Sequence, residues 1–336
     1  MTERRLLGAL LFALLASETT SADALKPRRT INGGAASWWS IERAASIRSW
    51  LLTRMGGEVL VLPDGAPEPR LLVGREAGGR PLLLSAHAAA ASDDRVLVYD
   101  IQNAYLIEAD LEGGRARRAT YSPKALPTAG VAWNGSAWVL AGHFEGGEAV
   151  QIRDAGTLKV SATYTLPVEE THRVRAISYQ GSVAAGPAGK TVVVFVALSR
   201  AIVLNQDGAE VLSLDLPISA DRLVSEAGRT SPPGTRDEAE RLWAGRLVPV
   251  GVGWTGEDPS VLLQEGGPRT RLTWCRFSGR DGHLKARYVL DVPSEPRGGC
   301  RVASATDKGV TTLMVLKSWV SGTETRSALF EFSIPE

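Results

Sequence analysis

Residues 203–217 read VLNQDGAEVLSLDLP, in which two apolar runs flank an Asp-Gly pair and a proline ends the second run. Such a pattern is typical of a β-hairpin, because glycine adopts the positive φ that tight turns need and aspartate tolerates it next best. Proline cannot donate to a strand ladder, so it marks the end of the second strand. The stretch therefore predicts a hairpin of two short strands.

The same pattern occurs at four other places along the chain. The copies are LPDGAPEPRLLVG around Gly65, LEGGRARRATYSP around Gly114, RDAGTLKVSATYTLP around Gly156 and GRDGHLKARYVLDVP around Gly282. Successive turn glycines are 49, 42, 52 and 74 residues apart, and the longest interval contains a polar segment, 221–246. Without that segment the period is about 40–50 residues, which is typical of four-stranded propeller blades.

A second repeated pattern supports this period. Strands of small apolar residues that end in their own turn are HAAAASDDR from His87, GVAWNGS from Gly130, SVAAGPAGK from Ser182, GVGWTGE from Gly251 and VASATDKG from Val302. Small side chains suit the innermost strand of a blade, where blades crowd around the axis. The match between GVAWNG and GVGWTG predicts equivalent positions for Trp133 and Trp254.

The two patterns together predict an all-β fold, a six-bladed β-propeller of four-stranded antiparallel blades. The expected blades are 37–74, 80–123, 127–167, 172–217, 245–293 and 299–336. The last blade lacks a fourth strand, and we expect a strand from 29–41 to supply it and close the ring. A pair of β-sandwiches explains the many short strands but not the period. Helix-compatible sequence is expected only at 41–50 and 237–243.

The repeated strand–Asp-Gly–strand–Pro unit resembles the blades of six-bladed propellers of the NHL and TolB-like kind, over nearly the whole chain after residue 24. This resemblance implies an architecture whose members include binding proteins, scaffolds and unrelated enzymes. Propeller lyases of the NHL type use histidines from several blades to hold one metal on the axis. The four histidines of this chain, His87, His143, His172 and His283, are compatible with such a site by residue type, but individual structural roles explain them better.

The N-terminus predicts export. Arg4 and Arg5 precede an apolar run, LLGALLFALLA at 6–16, and Ala22-Asp23-Ala24 fits a small-x-small cleavage site. We therefore expect residues 1–24 to be a signal peptide, a single propeller domain at 25–336 with a polar insertion at 221–246, and a secreted or periplasmic location. The alternative is an uncleaved anchor, although the apolar run is shorter than the ~20 residues that span a bilayer. No later segment is apolar and long enough to be a membrane span.

The composition disfavours nucleic-acid binding, since 38 basic residues nearly balance 37 acidic ones and the formal net charge is +1. The two cysteines, Cys275 and Cys300, predict a disulfide in an exported protein, the alternative being two buried free thiols. A bonded pair would close a loop of about 25 residues and stabilise the fold by about 3 kcal/mol.

No nucleophile elbow, phosphate-binding loop or metalloprotease motif occurs in the sequence. We therefore expect a monomeric, non-enzymatic scaffold without a cofactor or metal, which binds a protein, peptide or glycan through loops on one rim. The alternative is a metal-dependent hydrolase or lyase with its active site in the central channel. The candidate ligand-binding residues lie in EETHRVR, where strand alternation would direct both arginines to one side: Glu169, Glu170, His172, Arg173 and Arg175. Ordinary surface charge is the alternative for this segment.

Overall fold

The computed structural model contains six four-stranded antiparallel sheets. Each innermost strand contacts the innermost strands of the two neighbouring sheets, so that the sheets form a closed ring of six blades. The structure describes residues 24–33, 38–54, 57–73, 83, 85–102, 104–111, 116–120, 126–176, 181–219, 221–223, 244–266, 271–293 and 298–335. The predicted fold class, a six-bladed propeller with four-stranded blades, is confirmed.

The strands of the first three blades follow one another in chain order from the channel outwards. Blade 1 consists of β2 (Trp38–Ala44), β3 (Ser49–Arg54), β4 (Glu58–Pro63) and β5 (Arg70–Val73). Blade 2 consists of β6 (Ala86–Ala91), β7 (Arg95–Asp100), β8 (Tyr105–Asp110) and β9 (Ala116–Thr120). Blade 3 consists of β10 (Leu126–Trp133), β11 (Ala137–His143), β12 (Val150–Asp154) and β13 (Val160–Tyr164).

The remaining blades repeat this order, except that the last takes its outer strand from the N-terminus. Blade 4 consists of β14 (Gly181–Ala185), β15 (Thr191–Phe195), β16 (Arg200–Leu204) and β17 (Glu210–Asp215). Blade 5 consists of β18 (Leu247–Thr255), β19 (Asp258–Glu265), β20 (Arg271–Phe277) and β21 (Leu284–Leu290). Blade 6 consists of β22 (Gly298–Asp307), β23 (Val310–Ser321), β24 (Glu324–Ile334) and β1 (Arg29–Asn32).

The ring closes through the N-terminal strand, as the sequence predicts. Strand β1 runs antiparallel to β24, with Ile31 opposite Leu329. The residues before it also reach blade 5, because the amide of Leu25 donates to the carbonyl of Val289 at 2.8 Å. Pairing the two ends of the repeat in one sheet covers the edge that β24 would otherwise expose.

The Asp-Gly turns connect the third and fourth strands of their blades. Gly65, Gly208 and Gly282 all have φ between 76° and 82°, the left-handed conformation that the turn requires. In blade 3 that conformation falls on Leu158 (φ 56°) instead of Gly156. The corresponding turn of blade 2, at Gly114, lies outside the described residues.

Alternating side chains fill the layers between blades. On β15, Val193 and Phe195 pack into the layer shared with blade 3, while Val192 and Val194 pack into the layer shared with blade 5. Because successive residues of a strand point to opposite faces, one apolar strand contributes to two layers. This explains why the second strands read as continuous apolar runs rather than as alternating ones.

The predicted disulfide is wrong, because Cys275 and Cys300 are both buried free thiols. Cys275 packs between blades 4 and 5, whereas Cys300 packs between blades 5 and 6, on the other side of blade 5. Burial raises the pKa of each thiol to about 12, so both stay protonated and unreactive at neutral pH.

The helix expectations also need correction. Residues 41–50 form the end of β2, a turn and the start of β3 instead of a helix, because Ile41, Ala44 and Trp50 are buried strand positions between blades. Residues 237–243 lie outside the described part of the chain. A helix not expected from the sequence, α1 (Val168–Ala176), crosses from blade 3 to blade 4. Two acidic residues in its first turn favour this helix start through the helix dipole.

Candidate functional site

The topology separates the two faces of the ring. In blades 1–5 the antiparallel order places the turn between the first and second strands on one face, together with the turn between the third and fourth strands, and in blade 6 the turn between β22 and β23 lies on the same face. The crossovers between blades then lie on the opposite face. We call these the hairpin face and the crossover face. Helix α1 is a crossover, so it belongs to the crossover face.

A cavity of about 780 Å³ opens at the channel mouth on the hairpin face. Turns or strand ends of all six blades contribute to its wall. Its lining includes Ala45, Arg48, Asp93, Gly135, Ala188 and Gly256 from the turns that follow innermost strands, and Asp307 from the end of β22. The sequence pattern of small-residue strands with their own turns therefore defines this site, although the sequence does not show that the turns surround one cavity.

Charged side chains around the mouth form a partly paired set. Arg43 binds Asp64 through two hydrogen bonds of 2.5 and 2.9 Å. Arg48 lies 3.9 Å from Asp64 and 3.6 Å from Asp307. Among the described residues no cation lies within ion-pair distance of Asp93, which is exposed at the rim.

Aromatic side chains form the rest of the wall. Trp133 and Trp254 both lie at or near the ends of innermost strands, which are the equivalent positions that their matching motifs predict, and both line the cavity. The Trp254 indole donates to the carbonyl of Ala184 at 3.2 Å and packs on Gly186, where a Cβ would come within 2.0 Å of the ring. Glycine at 186 therefore allows the indole to lie flat against the neighbouring blade.

Asn134 illustrates a structural role for a motif that reads as a glycosylation acceptor. Its side-chain oxygen accepts hydrogen bonds from the amides of Ser136 and Ala137, at 3.1 and 2.8 Å. The residue is 5% exposed, and no described residue provides an acceptor for its side-chain nitrogen. This asparagine stabilises the turn at the cavity wall.

The channel narrows beneath the mouth. A space of about 30 Å³ is lined by residues of five innermost strands, including Glu42, His87 and Arg301. Burial raises the pKa of the Glu42 carboxyl well above its usual value, and burial lowers the pKa of Arg301. Glu42 also lines the mouth cavity, so its carboxyl connects the two spaces.

A smaller cleft of about 140 Å³ extends from the mouth along the boundary of blades 2 and 3. It shares Asp93 and Trp133 with the mouth cavity. Trp133 packs on the fully buried Trp138, with ring centroids 4.7 Å apart. Glu108 is buried in this cleft and lies 3.4 Å from Arg95.

The residues predicted from the sequence lie on α1, on the crossover face. Glu169, His172 and Arg173 are exposed, and the side chain of Arg175 is outside the described part of the structure. Because α1 is a helix, positions 173 and 175 are about 200° apart around its axis and do not share a side. The expected alternation is therefore wrong, while a ligand-binding role for the exposed residues stays a prediction.

Glu170 has a structural partner. Its carboxylate accepts two hydrogen bonds from Arg200, at 2.7 and 2.9 Å. The same guanidinium donates to Glu210 at 2.8 Å, and Tyr164 donates to the other oxygen of Glu210 at 2.5 Å. This closed network ties α1 to the outer strands of blades 3 and 4, not to the channel.

Metal ligands do not converge within the described part of the chain, where no group of three or more His, Cys, Asp or Glu side chains has a metal-binding arrangement. His87 lines the channel, and its Nδ1 accepts a 2.7 Å hydrogen bond from the Trp39 indole. His172 lies on α1, and His283 lies in an exposed turn of blade 5. Among the described helices, none has the length and apolar character needed to cross a membrane.

Comparison with known proteins supports the fold. No protein-family model matches the sequence, and no curated protein matches it. Solved structures do match: the chain superposes on the crystal structure of the RRP9 WD40 repeats with a TM-score of 0.54 at 10% identity, over 92% of this chain and 99% of that one. The structure of U3-55K gives a TM-score of 0.53 at 10% identity, over 90% and 97% of the two chains. A chain in the crystal structure of the Mitotic Checkpoint Complex gives 0.50 at 12% identity, over 90% and 76%.

Proposed function

We propose that this protein is an exported, non-enzymatic interaction scaffold that binds a protein or peptide partner at the channel mouth of the hairpin face. The observation that supports this function most directly is the cavity of about 780 Å³ enclosed by turns of the six blades. Its volume is in the range of pockets that bind small ligands or individual side chains of a partner. Export is part of the proposal and depends on the signal-like residues 1–24.

The frame around this cavity is suited to binding without rearrangement. The innermost strands that carry the turns are held by six apolar layers between blades. A rigid scaffold that presents turns at one place lowers the entropy lost on binding. The similarity to propellers, including one in a multi-protein assembly, is compatible with this role. The NHL or TolB-like blade type remains a prediction, as does a monomeric state.

Two blocking variants distinguish the two faces as binding surfaces. Ala45 is an exposed turn residue of the cavity wall. The side chain introduced by Ala45→Trp therefore occupies the mouth without entering the packed core. Val168 is 73% exposed at the start of α1, so Val168→Trp covers the crossover face in the same way. We expect both variants to keep the melting temperature of the unmodified protein.

The exported protein is cross-linked to its partner in the medium or periplasm, and the partner is identified by mass spectrometry. The measured quantity is the amount of this partner recovered with each variant. The proposal expects Ala45→Trp to lose this partner and Val168→Trp to keep it. Loss in Val168→Trp alone would assign binding to α1, as the sequence predicts, and would overturn the proposal. A glycan recovered at the mouth instead of a polypeptide would also contradict it.

A further inference from the structure

We infer that the occupant of the channel mouth is a basic peptide segment, which places one cationic side chain against Glu42 and lies along the cleft beside Trp133. This inference rests on the proposed function and specifies the chemistry of the partner.

The charges that line the two connected spaces favour a cation. The mouth and the cleft together are lined by six carboxylates and three guanidiniums, although the whole chain has a net charge of +1. The carboxylates belong to Glu42, Asp64, Asp93, Asp94, Glu108 and Asp307, and the guanidiniums to Arg43, Arg48 and Arg95. The surface around this site is therefore locally acidic, which attracts cationic partners.

The pairing of these groups makes the preference sharper. All three arginines already have carboxylate partners: Arg43 has Asp64, Arg48 has Asp64 and Asp307, and Arg95 has Asp94 and Glu108. Glu42 and Asp93 have no ion-pair partner among the described residues. An anionic ligand would have to displace an existing ion pair, whereas a cationic ligand would find the carboxylate of Asp93 and the carboxyl of Glu42, whose ionised form a nearby cation favours.

Glu42 is suited to one buried cation. It lies opposite Leu51 on the face of β2 that packs against blade 2, where the neighbouring innermost strand contributes His87 and small side chains such as Ala89. These alanines leave room for a ligand side chain beside the carboxylate. An entering guanidinium would also favour the ionised form of the Glu42 carboxyl, which burial disfavours.

Two buried donors indicate a peptide instead of an isolated cation. The indole nitrogen of Trp138 lies in a fully buried side chain of the cleft wall, and the side-chain nitrogen of Asn134 lies in the mouth wall, in a side chain 5% exposed. Neither nitrogen has an acceptor among the described residues. A buried donor without a partner is costly. Both nitrogens are covered by neighbouring atoms, so each would gain an acceptor if a small side-chain shift on binding exposed it to a main-chain carbonyl, which a peptide supplies and an isolated cation does not.

The test uses a five-residue peptide with blocked ends, an arginine at the second position and a lysine at the fourth, separated by glycines. Two matched peptides replace the basic residues by citrulline and norleucine, or by glutamates. Affinity is measured by isothermal titration and by the fluorescence of the cavity tryptophans. The inference expects the basic peptide to bind more tightly than both matched peptides, and more weakly as salt is added.

Three variants of the full chain localise the binding. Glu42→Gln and Asp93→Asn are each expected to lower the affinity for the basic peptide by about tenfold, which is the loss typical of one charge-assisted contact. Glu324→Gln removes an exposed carboxylate elsewhere and is expected to change nothing. Asp93 is exposed, so its substitution keeps the fold even if the Glu42 variant does not.

The outcomes separate this inference from the proposed function. Equal binding of the citrulline peptide, or unchanged affinity in both carboxylate variants, would overturn the basic-peptide inference. If Ala45→Trp loses the cross-linked partner but the basic peptide does not bind the unmodified protein, the inference fails and the scaffold function stands. If Ala45→Trp binds the basic peptide with full affinity, the mouth is not the site and both fail.

Discussion

The charged groups of the crossover face and the hairpin face differ in how they are satisfied. On α1, Glu170 is held by Arg200, which also binds Glu210, so the network is closed. At the mouth, Glu42 and Asp93 line an open space without a described cationic partner. In the sequence, the segment that forms α1 and the segments that carry Glu42 and Asp93 all contain charged residues, and nothing local distinguishes them. Charged residues that their neighbours leave unpaired, such as Glu42 and Asp93, are therefore better candidates for ligand contacts than residues of a closed network.

The largest expected effect on stability comes from opening the closed network. Arg200→Met leaves Glu170 and Glu210 without their cation in a partly buried place, because the Arg200 side chain is 18% exposed. We expect the free energy of unfolding to fall by about 2 kcal/mol, below the cost for a fully buried pair. Urea denaturation measures this loss, and binding of the basic peptide should not change.

Arg326→Met is the matched control for this variant. Its partner Glu324 is 54% exposed, and the two lie 3.3 Å apart, so we expect no measurable loss of stability. Equal losses in the two variants would show that the network on α1 is no more important than a surface pair. The contrast between the two faces would then disappear.

The second prediction concerns the unpaired carboxyl of the channel. Burial raises the pKa of Glu42 in the folded state, so the folded protein holds this proton more tightly than the unfolded chain does. The stabilisation from the proton is complete below the unfolded pKa of about 4.3 and is lost as pH rises through the higher folded pKa. We therefore expect Glu42→Gln to melt at a higher temperature than the unmodified protein at neutral pH.

Thermal unfolding from pH 4 to pH 8 measures this difference, which should be near zero at pH 4 and grow with pH. The other titratable groups that line the narrow channel are His87 and Arg301. Glu42→Gln and the unmodified protein both retain them, so they do not contribute to the difference. Glu324→Gln should show no pH-dependent difference. If Glu42→Gln is less stable at every pH, the carboxylate has a stabilising partner and the contrast is wrong. Higher stability combined with weaker peptide binding would indicate a functional residue.

The smallest effect is expected from the cation at the rim. Arg48 is 74% exposed and lies near Asp64 and Asp307, so Arg48→Ala should leave the melting temperature unchanged. It removes the cation near Asp307 and leaves Asp64 paired with Arg43, and we expect the basic peptide to bind about two- to threefold more tightly. Isothermal titration at low salt gives the clearest measurement.

Arg280→Ala is its control, since Arg280 is an exposed residue of the hairpin face outside the cavity lining. A similar gain in affinity in both variants would mean that the net charge of the face, not the mouth, attracts the peptide. Weaker binding in Arg48→Ala would show that this arginine contacts the ligand itself.

The repeat and the turns could be predicted because they depend on local sequence. Gly65, Gly208 and Gly282 adopt the positive φ that their Asp-Gly motifs predict. The small residues of β6 and β14 identify these strands as innermost, because blades crowd around the axis and leave little room for side chains there. This preference can be recognised from the sequence of a single strand. The closing strand β1 followed from counting strands, since five complete blades and one incomplete blade left one position to fill.

Helix α1 was missed because it has little apolar periodicity. Val174 is its buried anchor between blades 3 and 4, and most of its other residues are polar, so no helical stripe stands out. The disulfide was wrong for a different reason. A spacing of 25 residues is compatible with a bond, but Cys275 and Cys300 lie on opposite sides of blade 5.

The order of the strands and the positions of their turns are determined by the sequence itself, because turn chemistry and strand periodicity act between neighbouring residues. The number of blades and the closing strand follow from counting these strands. Which carboxylates stay unpaired was decided only by the tertiary structure. Glu42 and Glu170 are both glutamates beside an arginine or within three residues of one. Glu170 has Arg200, 30 residues away, as its cation, whereas Glu42 faces the alanines of the next blade. Such distant partners are set by how blades pack around the axis, and electrostatic pairing depends on that distance.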